Sequence, residues 1–222
     1  MDNAADHTLS EMGFSSMLVS SVQHRMQHGA RWFHLPDKVM IKSTLLHCVL
    51  DFNYDPGAGT LTLVQYEAML QVDLNIEHLV NENIDSRQLE KQMQSINWNG
   101  REFTRAYLLQ YGRLDEEIER KLQNVLSMLQ VLAGSGEQGV KAVEQLQLTY
   151  WFDSLFNHEY MDYGEMDRLC RTYFPLQFFK VSHSHPTTAE AFEMLSRSAE
   201  RKVPRGRRLP PAKKRHTDGH HK

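Results

Sequence analysis

The chain has 222 residues and a formal net charge of −3; 41% of its residues are hydrophobic and 24% are charged. A chain of this length suits one domain, or one domain with a small subdomain, and buries enough apolar surface to fold without disulfides or a metal. The composition excludes fibrous, collagen-like and wholly disordered proteins, and no apolar run approaches the ~20 residues of a membrane-spanning helix. No export signal is recognisable, so we expect a cytoplasmic protein, or a nuclear one if the source is eukaryotic.

The first predicted element is an amphipathic helix that follows a flexible N-terminus, residues 1–13. From Ser15 to His28 apolar residues recur every four positions, which is the spacing of one helical face. Gly29 is suited to end this helix, because glycine readily adopts the left-handed conformation of a C-cap.

The next segment carries the clearest β pattern. Apolar and polar residues alternate over 44–54 and again over 61–74, as in two strands that each bury one face. Residues 55–59 read Asp-Pro-Gly-Ala-Gly, a dense turn signal. The pattern predicts a long antiparallel hairpin, which is marginally stable alone and needs helices or another strand against it. Residues 31–35 or 39–41 are the candidates for that strand.

Helical periodicity dominates the rest of the chain. The predicted helices cover 85–97, 103–111, 114–132, 137–156, 162–173 and 187–202. The third carries an apolar stripe from Leu114 to Leu132, and a short Gly-Ser-Gly linker joins it to the fourth, so the two should form an antiparallel helical hairpin. The stripe is the core of a monomer or, alternatively, the seam of a dimerising coiled coil.

Together these elements predict an α+β fold, with a long antiparallel β-hairpin or three-stranded meander packed against several helices. Residues 14–202 are predicted to form a single domain. This domain is expected to be β-rich over 30–75 and helical over 85–202. Three prolines and a run of charge predict a disordered basic tail over residues 203–222.

Cysteines and tryptophans are expected in the interior. Cys48 and Cys170 each lie in an apolar pattern, and neither belongs to a CxxC pair. This favours two buried, reduced thiols over a disulfide or a nucleophile. The three tryptophans are assigned to the core rather than to a ligand platform: Trp32, Trp98 and Trp151.

Charge is distributed very unevenly along the chain. From Arg197 to Lys222 ten Lys or Arg residues stand against two acids, a net charge of +8. The other 196 residues hold fifteen basic and twenty-six acidic side chains, a net of −11. A flexible, densely positive segment binds phosphate backbones by releasing their counterions. The candidate nucleic-acid-binding residues are Arg205, Arg207, Arg208, Lys213, Lys214 and Arg215.

Other interpretations of the tail stay open. An acidic protein or a membrane surface would also attract it, and it would also serve as a solubilising tail without a fixed partner. Its two basic clusters resemble a bipartite nuclear-import signal as well. The tail has no aromatic residue for base stacking, which predicts binding of low sequence specificity.

Histidines suggest metal binding as an alternative chemistry. His24 and His28 lie four residues apart on the first predicted helix, and His183 and His185 form an HxH sequence. Sequence places no carboxylate beside either pair, and the HExxH motif is absent. Surface or capping roles are therefore favoured, and no metal or cofactor is assigned.

No catalytic motif is recognisable. The chain has neither a Gly-rich phosphate loop nor a GxSxG sequence. Asp51 and Glu67 both lie on the polar face of the predicted hairpin, where they could approach each other across strands. Paired carboxylates act as acid and base only in a cleft, which a sequence does not reveal.

One region resembles a known group of proteins. Leu35-Pro36-Asp37-Lys38, then Leu50 to Pro56 and Leu61 to Leu70, look like part of uncharacterised accessory proteins of Bacteroidetes mobile elements. The likeness is confined to residues around the hairpin and includes no functional motif. It implies a bacterial cytoplasmic setting and favours nucleic acid over nuclear import.

The sequence as a whole predicts a non-enzymatic binding or adaptor protein. Its basic tail would contact nucleic acid electrostatically, and its acidic body would engage a protein partner or self-associate. The alternatives are a metal-dependent enzyme that uses histidine ligands, or a structural oligomer built on the 114–132 stripe.

Overall fold

The computed structural model describes residues 8–80, 84–181 and 186–202. It has the predicted α+β architecture, with helices packed around an antiparallel sheet. No helix in these three segments combines the length and the apolar character needed to cross a membrane.

Within the described segments the sheet has four strands in the order β1-β2-β3-β4, and all neighbours are antiparallel. The strands are β1 Trp32–Ile41, β2 Thr44–Asp55, β3 Thr60–Leu70 and β4 Leu176–Lys180. The predicted hairpin is confirmed as β2 and β3, joined at the Asp-Pro-Gly-Ala-Gly turn. Its register shifts by one residue between Asp51 and Phe52, a β-bulge that increases the local twist.

The first strand is continuous, whereas the sequence suggested two shorter candidates on either side of Pro36. This proline pairs with Val49 and is tolerated because β1 is an edge strand, where the missing N–H faces away from the sheet. Lys42 and Ser43 adopt positive φ values of 49° and 65°. They form the two-residue turn into β2, whose backbone twist matches that of the strands.

The expectation of a helical region over 85–202 is wrong at β4. Leu176–Lys180 pairs with β3 and makes the sheet four-stranded instead of three-stranded. Phe179 is buried and the preceding Phe178 is exposed, as expected for consecutive residues of a strand. Five residues are too few to show that alternation clearly in a sequence.

The helices follow the predicted periodicity with revised ends. They are α1 Ser16–Gln27, α2 Ser86–Gln94, α3 Arg105–Tyr111, α4 Glu116–Ala133, α5 Glu137–Trp151, α6 Leu155–Tyr160, α7 Tyr163–Tyr173 and α8 Thr188–Lys202, with a 3-10 turn at Arg101–Phe103. The helix predicted over 137–156 is too long. Asp153 adopts a positive φ of 61°, which ends α5 and lets the chain restart as α6.

Two clusters of buried side chains hold the fold together. The sheet core lies between one face of the sheet and the helices α1 and α8, which contribute Leu18, Val22 and Leu195. The helical core lies among α2, α4, α5 and α7. Met69 packs against the helical core from β3, and Val72 contacts both clusters.

The fold begins earlier than predicted. Leu9, Met12 and Phe14 are buried in the sheet core. The backbone oxygen of Met12 accepts a hydrogen bond from the N–H of Thr188 at 2.8 Å. Residues 8–13, which the sequence assigned to a flexible N-terminus, are therefore part of the packed structure.

The apolar stripe of the helical hairpin lies inside the helical core. Leu122, Val125, Leu129 and Leu132 of α4 are buried against α2 and α5. The chain itself covers the stripe, which supports its interpretation as the core of a monomer.

Candidate functional site

Among the residues that the structure describes, the face of the sheet opposite the sheet core is covered at one end only. The ring of His47 lies 4.9 Å from that of Phe152, in the loop after α5. Beside it, Arg171 of α7 binds the carboxylate of Glu67. The helical core therefore lies over the end of the sheet that contains the β1–β2 turn, and no other described part of the chain covers the opposite end.

We call this uncovered area the open sheet face. It consists of six exposed residues: Trp32, His34, Pro36, Val49, Phe178 and Lys180. Two rows of paired residues cross all four strands there. The first row is His34, Asp51, Gln65 and Lys180, and the second is Pro36, Val49, Glu67 and Phe178.

Two aromatic side chains stand out from this face. Trp32 is 67% exposed and Phe178 is 54% exposed. The expectation that Trp32 belongs to the core is wrong, whereas Trp98 and Trp151 are buried as predicted. The signal was available in the sequence, because Phe33 points into the sheet core and consecutive strand residues face opposite ways.

The acidic groups on this face are already engaged. Asp51 Oδ2 accepts a hydrogen bond from Gln65 Nε2 at 2.8 Å, and Glu67 is held by Arg171. The suggested approach of Asp51 to Glu67 does not occur. Across the β2–β3 ladder Asp51 pairs with Gln65, and Glu67 pairs with Val49. Lys180 is exposed, and no ion pair involving it is found within the part of the chain that the structure describes. The open sheet face thus combines aromatic rings with an available cation.

A hydrogen-bonded polar cluster, which the sequence did not indicate, lies beside α2. Ser86 Oγ is 3.2 Å from His78 Nδ1, and His78 Nε2 is 3.4 Å from Glu90 Oε2. Tyr150 donates its hydroxyl hydrogen to Glu90 Oε1 at 3.1 Å. The order of serine, histidine and carboxylate is that of a nucleophilic triad.

Burial rules out nucleophilic catalysis by this cluster in the described conformation. Ser86 has no exposed surface, and its Oγ also accepts a hydrogen bond from the N–H of Leu79 at 2.9 Å. The N–H of Ser86 in turn donates to the carbonyl of Leu79 at 3.0 Å. The cluster closes the loop before α2 and leaves no room for a substrate carbonyl at the hydroxyl.

The first histidine pair is brought together on α1. The rings of His24 and His28 are 4.2 Å apart between centroids, and Nδ1 of His28 lies 2.8 Å from the backbone oxygen of His24. Among the described residues no group of three or more His, Cys, Asp or Glu side chains is placed to hold a metal ion. His183 and His185 lie outside the described residues.

The cysteines lie in different cores and are both free thiols. Burial raises the pKa of the Cys48 thiol to about 12, with a contribution from Asp37. Burial also raises the pKa of the Cys170 thiol to about 12. Both groups are therefore protonated at neutral pH, whereas a cysteine nucleophile acts as the thiolate.

A groove of about 540 Å³ lies between the β1–β2 turn and the last turns of α8. Its lining combines apolar side chains such as Leu45 and Phe192 with the carboxylates of Asp73 and Glu200. The described residues that line the groove include no histidine, cysteine, lysine or arginine beside these carboxylates.

Comparison of the chain with family models, with curated proteins and with solved structures gave no match. The resemblance around residues 35–70 therefore stays a prediction. The tail residues proposed from the sequence, Arg205, Arg207, Arg208, Lys213, Lys214 and Arg215, lie outside the described residues.

Proposed function

We propose that this protein is a non-enzymatic nucleic-acid-binding adaptor whose basic tail supplies the electrostatic contact. The observation that carries the proposal is the separation of charge, +8 over the last 26 residues against −11 over the rest. An acidic body repels a phosphate backbone, so the attraction must come from the tail. The acidic body would engage a protein partner or self-associate.

The fold supports this proposal by fixing where the tail begins. The helix α8 ends at Lys202, and the six candidate nucleic-acid-binding residues follow it in the sequence. Ala191, Phe192 and Leu195 bury one side of α8 in the sheet core. The positive segment follows a helix that is packed on the sheet core, so nucleic acid held by the tail would stay near the folded body.

The two alternatives receive less support from the described residues. No third ligand for the histidine pair of α1 is found among the described residues, which weakens the proposal of a metal-dependent enzyme. The apolar stripe of α4 is buried within the chain, which weakens an oligomer built on it.

The test is binding of the full chain to a fluorescently labelled DNA duplex and a single strand across a salt series. In one variant the six tail residues named above become alanine. In the matched control the four arginines among them become lysine, which keeps the charge. The alanine variant should lose most of its affinity, and the slope of log K against log salt for the duplex should fall by roughly 5, since each phosphate contact contributes about 0.9.

The lysine control should retain most of the affinity and nearly the same salt slope, because counterion release depends on charge. Equal binding by the full chain and the alanine variant would contradict the tail's role. Absence of binding by the full chain at low salt would refute nucleic-acid binding itself.

A further inference from the structure

We infer that the open sheet face binds the unpaired bases of single-stranded nucleic acid, stacking them on Trp32 and Phe178. This inference rests on the proposed function and extends it, since it names the form of nucleic acid and a second contact surface. The tail lacks aromatic residues, so base recognition needs a surface elsewhere on the chain.

The geometry suits single strands better than duplexes. Both rings project from a sheet surface that none of the described helices covers, and each of the two residues is more than half exposed. In a duplex the base faces are stacked on each other and unavailable, whereas in a single strand they are free to stack on protein aromatics. Trp32 and Phe178 lie on the two edge strands, three strand spacings and four residues apart, which corresponds to roughly 20 Å. A short oligonucleotide crossing the strands diagonally can meet both rings.

Charge favours a nucleic acid as the occupant of this face. Asp51 and Glu67 are each engaged by a neighbouring side chain, so neither presents an unpaired carboxylate to a phosphate. Lys180 projects from the same end of the sheet as Phe178 and is exposed. On a body with a net charge of −11, this area has the charge of Glu67 compensated by Arg171, the carboxylate of Asp51 hydrogen-bonded to an amide, and a lysine available.

The tail is long enough to work together with this face. Residues 203–222 span up to roughly 65 Å when extended, and β2, the longest strand described, is only about 40 Å long. A strand of nucleic acid held by the tail is therefore within reach of the open sheet face. Binding at one surface raises the effective concentration at the other.

The chain contains its own reporter for this contact. Trp32 is exposed, whereas Trp98 and Trp151 are 5% and 1% exposed. Titration of the full chain with a 12-nucleotide oligothymidylate should quench tryptophan fluorescence as bases stack on Trp32. The same titration of the W32F variant should give no quenching, because the remaining tryptophans are buried.

Affinity is measured in parallel with a labelled oligonucleotide at fixed salt. The double variant Trp32→Ala/Phe178→Ala should bind the single strand at least 10-fold more weakly, given that a stacked base contributes roughly 5-fold or more. Its duplex binding and salt slope should be unchanged. The control is Met17→Ala, which should bind like the native chain. Met17 is 80% exposed and belongs to α1, which packs on the sheet face opposite the open sheet face. Both side chains replaced in the double variant are exposed, so circular dichroism should show the fold retained.

The outcomes separate this inference from the function it rests on. Salt-dependent binding of the labelled strand without quenching, and with unchanged affinity in the double variant, would overturn the stacking site while leaving the tail's role intact. The emission of Trp32 could also shift to shorter wavelength as the protein concentration rises without oligonucleotide. That result would show that a second copy of the chain covers the open sheet face, and it would also overturn the inference. Absence of any oligonucleotide binding by the full chain would remove both proposals.

Discussion

Arg171 and Glu67 form a two-point contact between α7 and β3, with Nη1 3.2 Å from Oε2 and Nη2 3.2 Å from Oε1. The same guanidinium donates through Nε to Asp167 Oδ2 at 2.9 Å. This arrangement joins the helical core to the sheet next to Phe178, at the boundary of the open sheet face. It also compensates the charge of Glu67.

Loss of this contact should destabilise the fold modestly. Arg171→Ala should lower the free energy of unfolding by about 1 kcal/mol, near the upper end for a partly exposed ion pair, because the pairing is bidentate. Arg171→Lys should lose part of that amount, since lysine keeps the charge and not the two-point geometry. Urea unfolding of the native chain, Arg171→Ala, Glu67→Gln and the double variant Arg171→Ala/Glu67→Gln provides a double-mutant cycle. A coupling energy of zero between the two positions would contradict the assigned contact.

A glycine sets how closely α4 and α5 approach. A Cβ added at Gly139 would lie 2.0 Å from the backbone oxygen of Leu132, and that oxygen belongs to a buried residue of α4. Alanine favours a helix by about 1 kcal/mol over glycine, but the overlap forces the helices apart at a cost of about 1–3 kcal/mol and more where backbone must move. Gly139→Ala should therefore lower stability by about 2 kcal/mol.

The matched control is Gly134→Ala. A Cβ at Gly134 would meet its nearest atom, the backbone oxygen of Val131, at 3.4 Å, which is ordinary contact. Thermal unfolding of this variant should be nearly unchanged. A Gly139→Ala protein as stable as the Gly134→Ala protein would show that the two helices separate freely.

Stability should fall in mild acid because of His47. Burial lowers the pKa of His47 from its usual 6.5, and the hydrogen bond to Gln71 only partly opposes this. The unfolded chain therefore binds the proton more readily than the folded one below about pH 6.5, so stability is fully present above that pH and decreases as pH falls through the folded pKa. Between pH 7.5 and 5.5 the free energy of unfolding should drop more in the native chain than in His47→Gln. An equal drop in both proteins would exclude this histidine as the cause.

Neither thiol should react in the folded protein at neutral pH. Cys48 and Cys170 are buried and their pKa values are raised to about 12, so both lack the thiolate form and access to reagent. Ellman's reagent should label neither cysteine at pH 7.5 under native conditions and should label both in denaturant. Rapid labelling of Cys170 alone would reveal local opening of the helical core, since Cys48 lies in the sheet core.

Local patterns predicted the hairpin and the helices because each depends on neighbouring residues. The alternation over 44–54 and the four-residue spacing from Leu114 describe surfaces that any correct fold must bury. The capping box is equally local: Glu190 donates its N–H to Thr187 Oγ1 at 3.2 Å, and Thr187 donates its N–H to Glu190 Oε2 at 2.8 Å.

Features that depend on distant partners were missed. Leu176–Lys180 is a strand only because β3 lies beside it, and the sequence between them gives no hint of that meeting. Alternation showed that the hairpin has a second, more polar face, but it does not say which half of that face the helices cover. For this reason the open sheet face could not be located from the sequence, although strand alternation could have placed Trp32 on the side of β1 opposite Phe33.

The β3–β4 pairing has a consequence for the order in which the chain folds. The N–H of Leu70 donates to the carbonyl oxygen of Pro175 at 2.9 Å, so the chain leaves the sheet and returns to it at the same place, with the whole helical core as an excursion between them. Closing an excursion of this length has an entropic cost of about 4 kcal/mol unless the intervening residues are already compact. We therefore expect the last strand, with Phe178 and Lys180, to dock after the helical core has folded. Destabilising substitutions anywhere in the helical core should therefore also weaken the pairing of β4 with β3 at the edge of the sheet.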